Sequence, residues 1–469
     1  MNLKLLLSTL FAVALAGCAV GPDYRRPTTP EPAAFANATN NNTNAPIATN
    51  WWHNFNDPTL ARLITLASTN NHDLRLAQAR LQEARALWTA ARFDYAPTVI
   101  NDNYYQNNMA SIATQPGKSR AERGIELYRV GFDATWELDL WGKTRRNVEA
   151  ARATVAAVAA SRDDILVSVR AEVAANYLDL RGSQAQLDVA HRNATNQADI
   201  VKLAEVLRDG GQGTQLDVAR ARSLMNETLA TIPPLETVQE QAIHRLSVLC
   251  GQPPSALRAE LIAPQPLPSG PADVAIENPA SLLRRRPDIR AAERSLAATT
   301  ADIGVAVADL FPALTFVGSI GLQANHPGDL GKSGTATWGF GPHLTWAAFD
   351  IGRVRQRIKA SDARAQGSLA IYEKTVLLAL EETENSLVAF GRGRQRLAFL
   401  QESERAAQEA VELAHQRYRD GVTDFLSVLD AERTLLSLQE QVVLNQTRTA
   451  TSLVAVYKAL GGDTIVTTE

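Results

Sequence analysis

This chain of 469 residues has few long apolar runs, few cysteines and no large excess of charge of either sign. Beyond the N-terminus no apolar stretch reaches the roughly 18 residues that a membrane-spanning helix needs, so the sequence predicts no transmembrane helix. Any membrane span must then be a β-barrel or a lipid anchor. The two cysteines, Cys18 and Cys250, cannot build a disulfide framework. The net charge of −3 gives no general electrostatic reason to bind nucleic acid, and we expect no such partner.

Signatures of catalysis are also missing from the sequence. It contains no phosphate-binding loop, no nucleophile elbow and no cluster of cysteine and histidine with metal-ligand spacing. Its seven histidines are scattered, and Glu381, Glu382 and Glu384 are interpreted as a solvated helix face. We therefore predict that the chain is not an enzyme and holds no metal and no cofactor other than a covalent lipid.

The N-terminus has the features of a secretory signal. A lysine is followed by an apolar run from Leu5 to Leu15, which is too short to span a bilayer, and then by small residues. The segment that ends at Cys18 is typical of a lipobox, in which the thiol receives a diacylglyceryl group and further acyl chains such as palmitate are added. The sequence thus predicts a signal peptide over residues 1–17 and lipidation at Cys18. The alternative is ordinary cleavage after Ala16, because two alanines there form an A-x-A pattern.

A lipidated N-terminal tether and equatorial segment is predicted over 18–57. Residues 19–50 are rich in Asn, Thr, Ala and Pro, which favours an extended segment with little core-forming content. Ala19 follows Cys18 in place of aspartate. In lipoproteins that this sequence resembles, such a residue favours sorting to the outer membrane.

Two segments of the sequence match each other in order, which indicates a tandem structural repeat. The matching positions keep their order in both copies: Asp73 and Pro97 with Asp288 and Pro312; Gly131, Thr135, Trp136 and Gly142 with Gly341, Thr345, Trp346 and Gly352; Arg208-Asp209-Gly210 with Arg419-Asp420-Gly421; and Leu249 and Gly251 with Leu460 and Gly462. We predict a first copy over 58–251, a second over 279–462 and a C-terminal tail over 463–469. A proline-rich linker over 252–278 separates the copies, since proline breaks helices. The run Arg284-Arg285-Arg286 is interpreted as a solvated helix start rather than a binding patch.

Two very long helices are predicted by proline-free stretches that are rich in helix-forming residues. One runs from Lys143 to Arg208 and the other from Arg353 to Arg419, and each would be about 100 Å long. A compact domain has no room for such helices. Shorter helices before the strands and after the turns complete each copy, at about 58–94, 214–250, 279–308 and 424–460. The expected fold class is mainly α with a small β part, in which antiparallel helices form the wall of a tube.

Four strands are predicted ahead of the long helices, two in each copy. Apolar side chains alternate with polar or small ones around Val130, Phe316 and Phe340, in segments of about ten residues that are typical of transmembrane barrel strands. The first strand, around Thr98 to Gln106, is polar on both faces. Because four strands cannot close a barrel and open edges do not occur in lipid, the barrel would be shared between chains. Two chains or three would both satisfy this argument, and the alternative is a soluble four-stranded sheet.

Several motifs spread over nearly the whole mature chain are specific when they are taken together. They are Cys18-Ala19-Val20-Gly21-Pro22-Asp23-Tyr24, Trp51-Trp52 with Phe55 and Asp57-Pro58, Arg285-Arg286-Pro287-Asp288-Ile289, Asp309-Leu310-Phe311-Pro312, Phe349-Asp350-Ile351-Gly352-Arg353 and Leu426-Ser427-Val428-Leu429-Asp430-Ala431. In these motifs the chain resembles the TolC-like outer-membrane efflux family, in its lipoprotein (NodT-type) branch. The resemblance implies a homotrimer in the outer membrane of a Gram-negative bacterium, with a shared 12-stranded transmembrane β-barrel and a periplasmic α-barrel.

The function that this resemblance implies is that of the outer-membrane channel of a tripartite efflux system. Such a channel passively conducts substrates that an inner-membrane pump and a periplasmic adaptor deliver, as in multidrug resistance. One alternative is the outer-membrane channel of a type I protein secretion system. Others are a periplasmic helical adaptor or scaffold lipoprotein, which would lack barrel strands, and a helical lipoprotein enzyme, which would show convergent polar residues.

The turns after the two long helices are predicted to be periplasmic tips that dock the adaptor, rather than plain helix connections. The residues assigned to this role are Arg208, Gly210, Gly213 and Thr214 in the first turn and Arg419, Gly421 and Thr423 in the second. The glycines are expected to supply turns with positive φ.

A periplasmic gate is predicted just after the second turn. Leu426 and Asp430 are four residues apart, so they share one helix face. In a trimer the leucines would form an apolar constriction and the aspartates a ring of like charges, and the resembling family carries its closure on matching residues. Arg220 is the repeat counterpart of Asp430, and we hypothesise that it pairs with Asp430 or Asp217 across neighbouring helices. The alternative is a set of solvated charges at a helix end.

Overall fold

The computed structural model describes residues 19–28, 32–37, 50–271, 274 and 279–462. The predicted signal peptide, the lipidation site Cys18 and the tail over 463–469 lie outside the described residues. The described chain forms two compact units. The first holds the described residues up to Thr28 together with Arg80–Ala159 and Ala291–Glu373, and the second holds the rest.

The same succession of elements occurs twice along the chain. The first is α1 (Pro58–Asn70), α2 (His72–Phe93), β1 (Thr98–Met109), β2 (Gly124–Leu138), α3 (Lys143–Asp209) and α4 (Gln215–Leu249). The second is α5 (Pro279–Arg285), α6 (Pro287–Ala308), β3 (Ala313–Ala324), β4 (Ala336–Thr345), α7 (Ile351–Arg419) and α8 (Phe425–Ala459). The predicted long helices are confirmed, with 67 residues in α3 and 69 in α7. No helix of the described residues combines the length and the apolarity needed to cross a membrane.

The first unit contains a four-stranded antiparallel sheet with the order β1-β2-β3-β4. The strands form where apolar and polar side chains alternate, so one face of the sheet is apolar. On this face Phe132, Ile320 and Phe340 are 54%, 63% and 79% exposed. The first strand also forms, although its sequence is polar on both faces, because it pairs with β2 from Thr98 to Met109. The sheet therefore has a broad apolar surface, with β1 and β4 at its edges.

The helices that precede the strands are each broken once, which corrects the expectation of one unbroken helix in each copy. The breaks lie at Asn71 and Arg286, in the second unit. The Asn71 side-chain amide donates to the carbonyl of Leu249 at 2.9 Å, and the Arg286 guanidinium donates to that of Ala459 at 2.8 Å. Leu249 and Ala459 are the last residues of α4 and α8. Each break is thus tied to the end of the last helix of its own copy.

Arg286 is buried, which corrects the interpretation of the arginine run as a solvated helix start. It is 8% exposed and pairs with Asp288 at 2.8 Å and Glu382 at 2.7 Å. These partners compensate for the loss of water around the guanidinium. Arg284 of the same run is exposed, as expected.

The two copies are related by a shift of 210 positions through the turns and the last helices. The long helices end at Asp209 and Arg419, and the next helices begin at Gln215 and Phe425, each with 35 residues. The sequence matches that equate Gly210 with Gly421 imply a shift of 211 and are wrong by one residue. Neighbouring glycines in the first turn cause this error.

The described part of the linker is held against the second unit by buried polar side chains. Three consecutive carbonyls accept hydrogen bonds: Leu261 from Gln184 at 2.8 Å, Ile262 from Gln239 at 3.2 Å and Ala263 from Arg181 at 3.1 Å. Arg181 is only 2% exposed and its guanidinium lies over the ring of Tyr177, 4.8 Å from the centroid. The linker also contains a short helix, Arg258–Leu261, and these contacts satisfy the backbone carbonyls at its end and just beyond it.

The described residues 19–28 and 32–37 contain no helix or strand and are held by specific contacts. In the first unit the N–H of Val20 donates to the carbonyl of Trp141 at 3.0 Å. The buried Arg146 donates in turn to the carbonyl of Val20 at 3.1 Å. In the second unit Phe35 lies in the core, and the Glu384 carboxylate accepts the N–H of the next residue at 2.7 Å.

Candidate functional site

The ends of the two long helices and the starts of the helices that follow them meet in one apolar cluster of the second unit. All four helices contribute to it: Ile200, Val201 and Ala204 from α3, Val218 and Ala221 from α4, Ala414 and Tyr418 from α7, and Phe425, Val428 and Leu429 from α8. The rings of Tyr418 and Phe425 lie 5.3 Å apart. The structure therefore brings together the two turns that were predicted to be tips.

Both turns end their long helix with the same backbone hydrogen bonds. In each turn two backbone N–H groups donate to carbonyls of the preceding helix at 2.8–3.0 Å. In the first turn Gly211 donates to Arg208 and Gln212 to Leu207. In the second turn Gly421 donates to Tyr418 and Val422 to Arg417. Gly211 and Gly421 have φ angles of 73° and 70°, in the left-handed region. This is the Schellman motif, which satisfies the last carbonyls of a helix and favours glycine at the left-handed position.

Gly211, rather than the predicted Gly210, is the left-handed glycine of the first turn. A Cβ at Gly211 or Gly421 would meet nothing within 4 Å, so the backbone conformation alone favours glycine there. A Cβ at Gly210 would make an ordinary contact at 3.4 Å. At Gly213 it would lie 3.1 Å from the backbone nitrogen of Arg208, so space restricts that position.

The helices that leave the turns begin with side-chain caps. Thr214 and Asp217 form a capping box, in which each side chain accepts the N–H of the other residue, at 3.2 Å and 2.9 Å. Asp424 accepts the N–H of Ser427 at 3.1 Å and its hydroxyl at 2.7 Å. These hydrogen bonds hold the pKa of Asp424 below its usual range. Thr423 donates its hydroxyl to Ser427 at 3.0 Å. Carboxylates are stabilised at helix starts because the first N–H groups there have no partner in the helix.

The predicted gate residues lie on the exposed face of α8. Leu426 is 50% exposed and Asp430 is exposed, whereas Phe425 and Leu429 face the apolar cluster. The equivalent leucine of the first copy, Leu216, is 56% exposed. The face that carries Leu426 and Asp430 is therefore available for contact with other chains.

Arg220 does not make the hypothesised pairs within the protomer. Among the described residues it forms no ion pair with Asp430 or Asp217, and Asp217 is occupied in the capping box. The positive charge of Arg220 instead contributes to the lowered pKa of Asp424, after the larger effect of the hydrogen bonds from Ser427. Pairing with Asp430 of another protomer stays a prediction.

Of the two predicted tip arginines, Arg208 is held within its turn and Arg419 is exposed. Arg208 donates to Asp209 at 2.8 Å and to Gln215 at 3.1 Å, which closes the first turn. Arg419 is exposed at the end of α7. In the part of the chain that the structure describes, no three or more His, Cys, Asp or Glu side chains are grouped to hold a metal ion.

Sequence reasoning missed two cross-helix pairs beside the tips. Glu205 of α3 pairs with Arg222 of α4, and His415 of α7 pairs with Glu432 of α8, with 2.8 Å between Nε2 and Oε1. Each member of the first pair lies 210 positions before a member of the second. The shift of 210 relates the two pairs to each other, but it does not by itself predict either contact.

Comparison with known proteins places the chain in one family over most of its length. The family described as "Outer membrane efflux protein" matches residues 63–252 and 278–462. Nodulation protein T of Rhizobium leguminosarum bv. trifolii is 33% identical over 429 residues, which cover 91% of this chain and 90% of that protein. The toluene efflux pump outer membrane protein TtgF of Pseudomonas putida is 32% identical over 469 residues, which cover 97% and 96%.

Solved structures of outer-membrane channels have the same fold. The outer-membrane channel OprN has a TM-score of 0.89 and 41% identity, with 95% of this chain and 99% of that chain covered. The open state of the MtrE outer membrane channel of Neisseria gonorrhoeae has a TM-score of 0.82 and 29% identity, with 95% and 98% covered. The chain therefore belongs to the outer membrane efflux protein family, and it has the fold of the TolC-like outer-membrane channels.

Proposed function

We propose that three copies of this chain form the passive duct of a tripartite efflux system in the outer membrane. Substrates delivered by an inner-membrane pump and a periplasmic adaptor leave the cell through this duct, and the chain itself catalyses no reaction. The names of its relatives, which include efflux pump outer membrane proteins, favour efflux over protein secretion.

The exposed apolar face of the sheet is the observation that carries this proposal. Phe132, Ile320 and Phe340 would be unfavourable in water but stable against lipid. The edge strands β1 and β4 would then need partners, because unpaired backbone groups do not occur in the hydrocarbon region. Neighbouring copies of the sheet supply those partners, and three copies give twelve strands.

Cys18 carries the lipid anchor in this proposal. The motivation is the lipobox that ends at Cys18 and the outer-membrane location of the family. Acyl chains buried in the bilayer add to the affinity of the barrel for the membrane. Palmitate labelling should be lost in Cys18→Ala, and labelling that persists in this variant would refute the assignment.

The tips dock the adaptor through apolar side chains around the two Schellman turns. Val206 and Leu216 flank the first turn and are 67% and 56% exposed. Val422 lies in the second turn and is 64% exposed. Apolar side chains exposed in one region of a protein are typical of an interaction surface.

The resting gate consists of rings of Leu426 and Asp430 from the three protomers. The leucines resist wetting of the pore, and the aspartates favour cations. The exposed position of both residues on one face of α8 supports this arrangement.

Conductance across planar bilayers tests the duct and its gate together. The wild type should give pore currents, and the double variant Leu426→Ala with Asp430→Ala should conduct more, because the apolar ring is removed. Leu216→Ala is the matched control for the leucine, since Leu216 holds the same position in the first copy and should leave the conductance unchanged. A wild-type protein without pore currents would contradict the duct. Conductance of the double variant equal to that of the wild type would place the gate elsewhere.

A further inference from the structure

We propose that an ionic triad of Arg129, Asp102 and Asp133 sets the charge preference of the barrel lumen, so that the duct favours cationic solutes. The inference rests on the proposed duct, because it requires three sheets that close around a pore. It adds a determinant of solute charge that lies on the sheet and involves none of the predicted gate residues.

The triad lies on the polar face of the sheet, opposite to the exposed apolar face. Side chains alternate along a strand, so Arg129, Gly131 and Asp133 of β2 share one face and Phe132 lies on the other. Asp102 of β1 pairs with Gly131, which puts its side chain on the same face. In a barrel whose apolar face contacts lipid, the polar face lines the lumen.

Arg129 holds two carboxylates together. Its guanidinium donates to the carboxylate of Asp102 at 2.8 Å and to that of Asp133 at 3.1 Å. The guanidinium also lies over the ring of Tyr104, 5.8 Å from the centroid. One arginine and two aspartates give the triad a net charge of −1.

The negative members of the triad are the more accessible ones. The side chains of Asp102 and Asp133 are 41% and 28% exposed, whereas that of Arg129 is 15% exposed. The carboxylates therefore dominate the electrostatic potential close to the polar face, because the interaction of charges weakens with distance.

Glycines leave the space beside the triad open. Gly131 of β2 pairs with Gly321 of β3. A Cβ at Gly131 would lie 2.7 Å from the carbonyl oxygen of Ile320, and one at Gly321 would lie 2.6 Å from that of Val130. No larger side chain fits at either position without a shift of the backbone. The central row of the sheet therefore has no side chain on β2 or β3 that could cover the carboxylates.

The triad holds most of the charge on the polar face of the strands. The other Asp, Glu, Lys or Arg residue of the strands on this face is Glu137, near the end of β2, where Lys143 lies 3.9 Å away. In a closed trimer the symmetry places the three triads at one height of the barrel. Three times −1 gives this ring a charge of −3, which raises the local concentration of cations and lowers that of anions.

Reversal potentials across planar bilayers in a gradient of KCl measure this preference as the ratio of potassium to chloride permeability. The double variant Leu426→Ala with Asp430→Ala serves as the background, so that the tips contribute less to the selectivity. A gradient of about 0.1 M against about 0.01 M suits the test, because Debye lengths of about 10 Å and 30 Å let the ring act across the lumen.

Three substitutions change the charge of the triad in steps. Arg129→Gln gives −2, Asp133→Asn gives 0, and Asp102→Asn with Asp133→Asn gives +1, compared with −1 in the background. The permeability ratio should be about twofold higher in Arg129→Gln and about twofold lower in Asp133→Asn. It should be lowest in the variant that lacks both carboxylates.

Two controls separate the charge of the triad from other effects of substitution. Glu126→Gln removes one negative charge from β2, as Asp133→Asn does, but on the opposite face, and it should leave the ratio unchanged. Arg129→Lys keeps the positive charge and should keep the ratio of the background, although the forked hydrogen bonds are lost.

The outcomes distinguish a failure of the inference from a failure of the duct. Pore currents with equal permeability ratios in Arg129→Gln and the background would overturn the inference alone. An effect of Glu126→Gln as large as that of Asp133→Asn would also overturn it. Without pore currents the duct proposal fails, and the inference fails with it.

Discussion

Asn71 and Arg286 lie at equivalent helix breaks in the two copies, but they interact through different chemical groups. Each interrupts a helix at an equivalent place in its copy, and each donates to the carbonyl that ends the last helix of that copy. Asn71 is a neutral amide that also accepts the N–H of Asp73 at 2.8 Å. Arg286 brings a buried charge, which Asp288 and Glu382 balance. The second copy therefore depends on an ionic network where the first depends on hydrogen bonds alone.

Removal of these side chains should destabilise the second unit to different degrees. Arg286→Ala should lower the free energy of unfolding by about 3 kcal/mol, because it leaves a helix carbonyl and the partly buried Asp288 without their partner. Asn71→Ala should cost about 1–2 kcal/mol, since only neutral hydrogen bonds are lost. Urea titration at one fixed protein concentration measures both values.

Arg284→Ala is the matched control for this series. Arg284 belongs to the same arginine run but is exposed, so its loss should change the free energy of unfolding by no more than about 0.5 kcal/mol. If Arg286→Ala is no less stable than Arg284→Ala, the ionic network does not contribute to the free energy of unfolding.

Among the elements, the two Schellman turns share backbone geometry but little sequence. Gly211 and Gly421 are the positions where that geometry demands glycine, because their φ angles are 73° and 70°. Gly210 is adjacent to Gly211 and looks equally suited to the turn in the sequence, yet it ends the helix without a left-handed backbone. The requirement for glycine is therefore specific to one position in each turn.

Alanine substitutions should separate these positions. Gly211→Ala and Gly421→Ala should each destabilise the helix end by about 1 kcal/mol, because an L-residue is strained in the left-handed region. Gly210→Ala is the control and should be close to neutral, since the added Cβ makes only an ordinary contact at 3.4 Å. Hydrogen exchange of the last turns of α3 and α7 reports the loss. Equal effects at Gly210 and Gly211 would be inconsistent with the turn geometry.

The long helices and the strands could be predicted from sequence, and the helix breaks could not. Proline-free stretches of helix-forming residues predicted α3 and α7, which end at Asp209 and Arg419. Alternation of apolar and polar residues predicted the strands. The break at Arg286 was hidden because an arginine run is usually solvated, and only the position of the α8 carbonyl shows that this guanidinium is buried.

The sequence predicted the region of the candidate site, but it did not predict the contacts within that region. The repeat predicted both turns, and the spacing of four residues put Leu426 and Asp430 on one helix face, which the structure shows to be exposed. The absence of the hypothesised Arg220 pairs within the described protomer was not predictable, because it depends on the positions of the carboxylates in space. The pair of His415 and Glu432 was missed for the same reason, since residues of two antiparallel helices meet only at a register that the turn geometry sets.

At the scale of the whole molecule, the sheet is the feature that a single chain leaves incomplete. Its apolar face is exposed and its edge strands β1 and β4 have partners on one side only. Four strands per chain close a barrel of twelve if three chains associate and a barrel of eight if two do. The family and the fold of its relatives place such sheets in the outer membrane. The number of chains is therefore the quantity on which the proposed duct depends.

Native mass spectrometry of the protein extracted from outer membranes in mild detergent measures this number directly. The account predicts an oligomer of three chains that dissociates to single chains only after boiling. An oligomer of two chains, or a monomer under the same conditions, would contradict it.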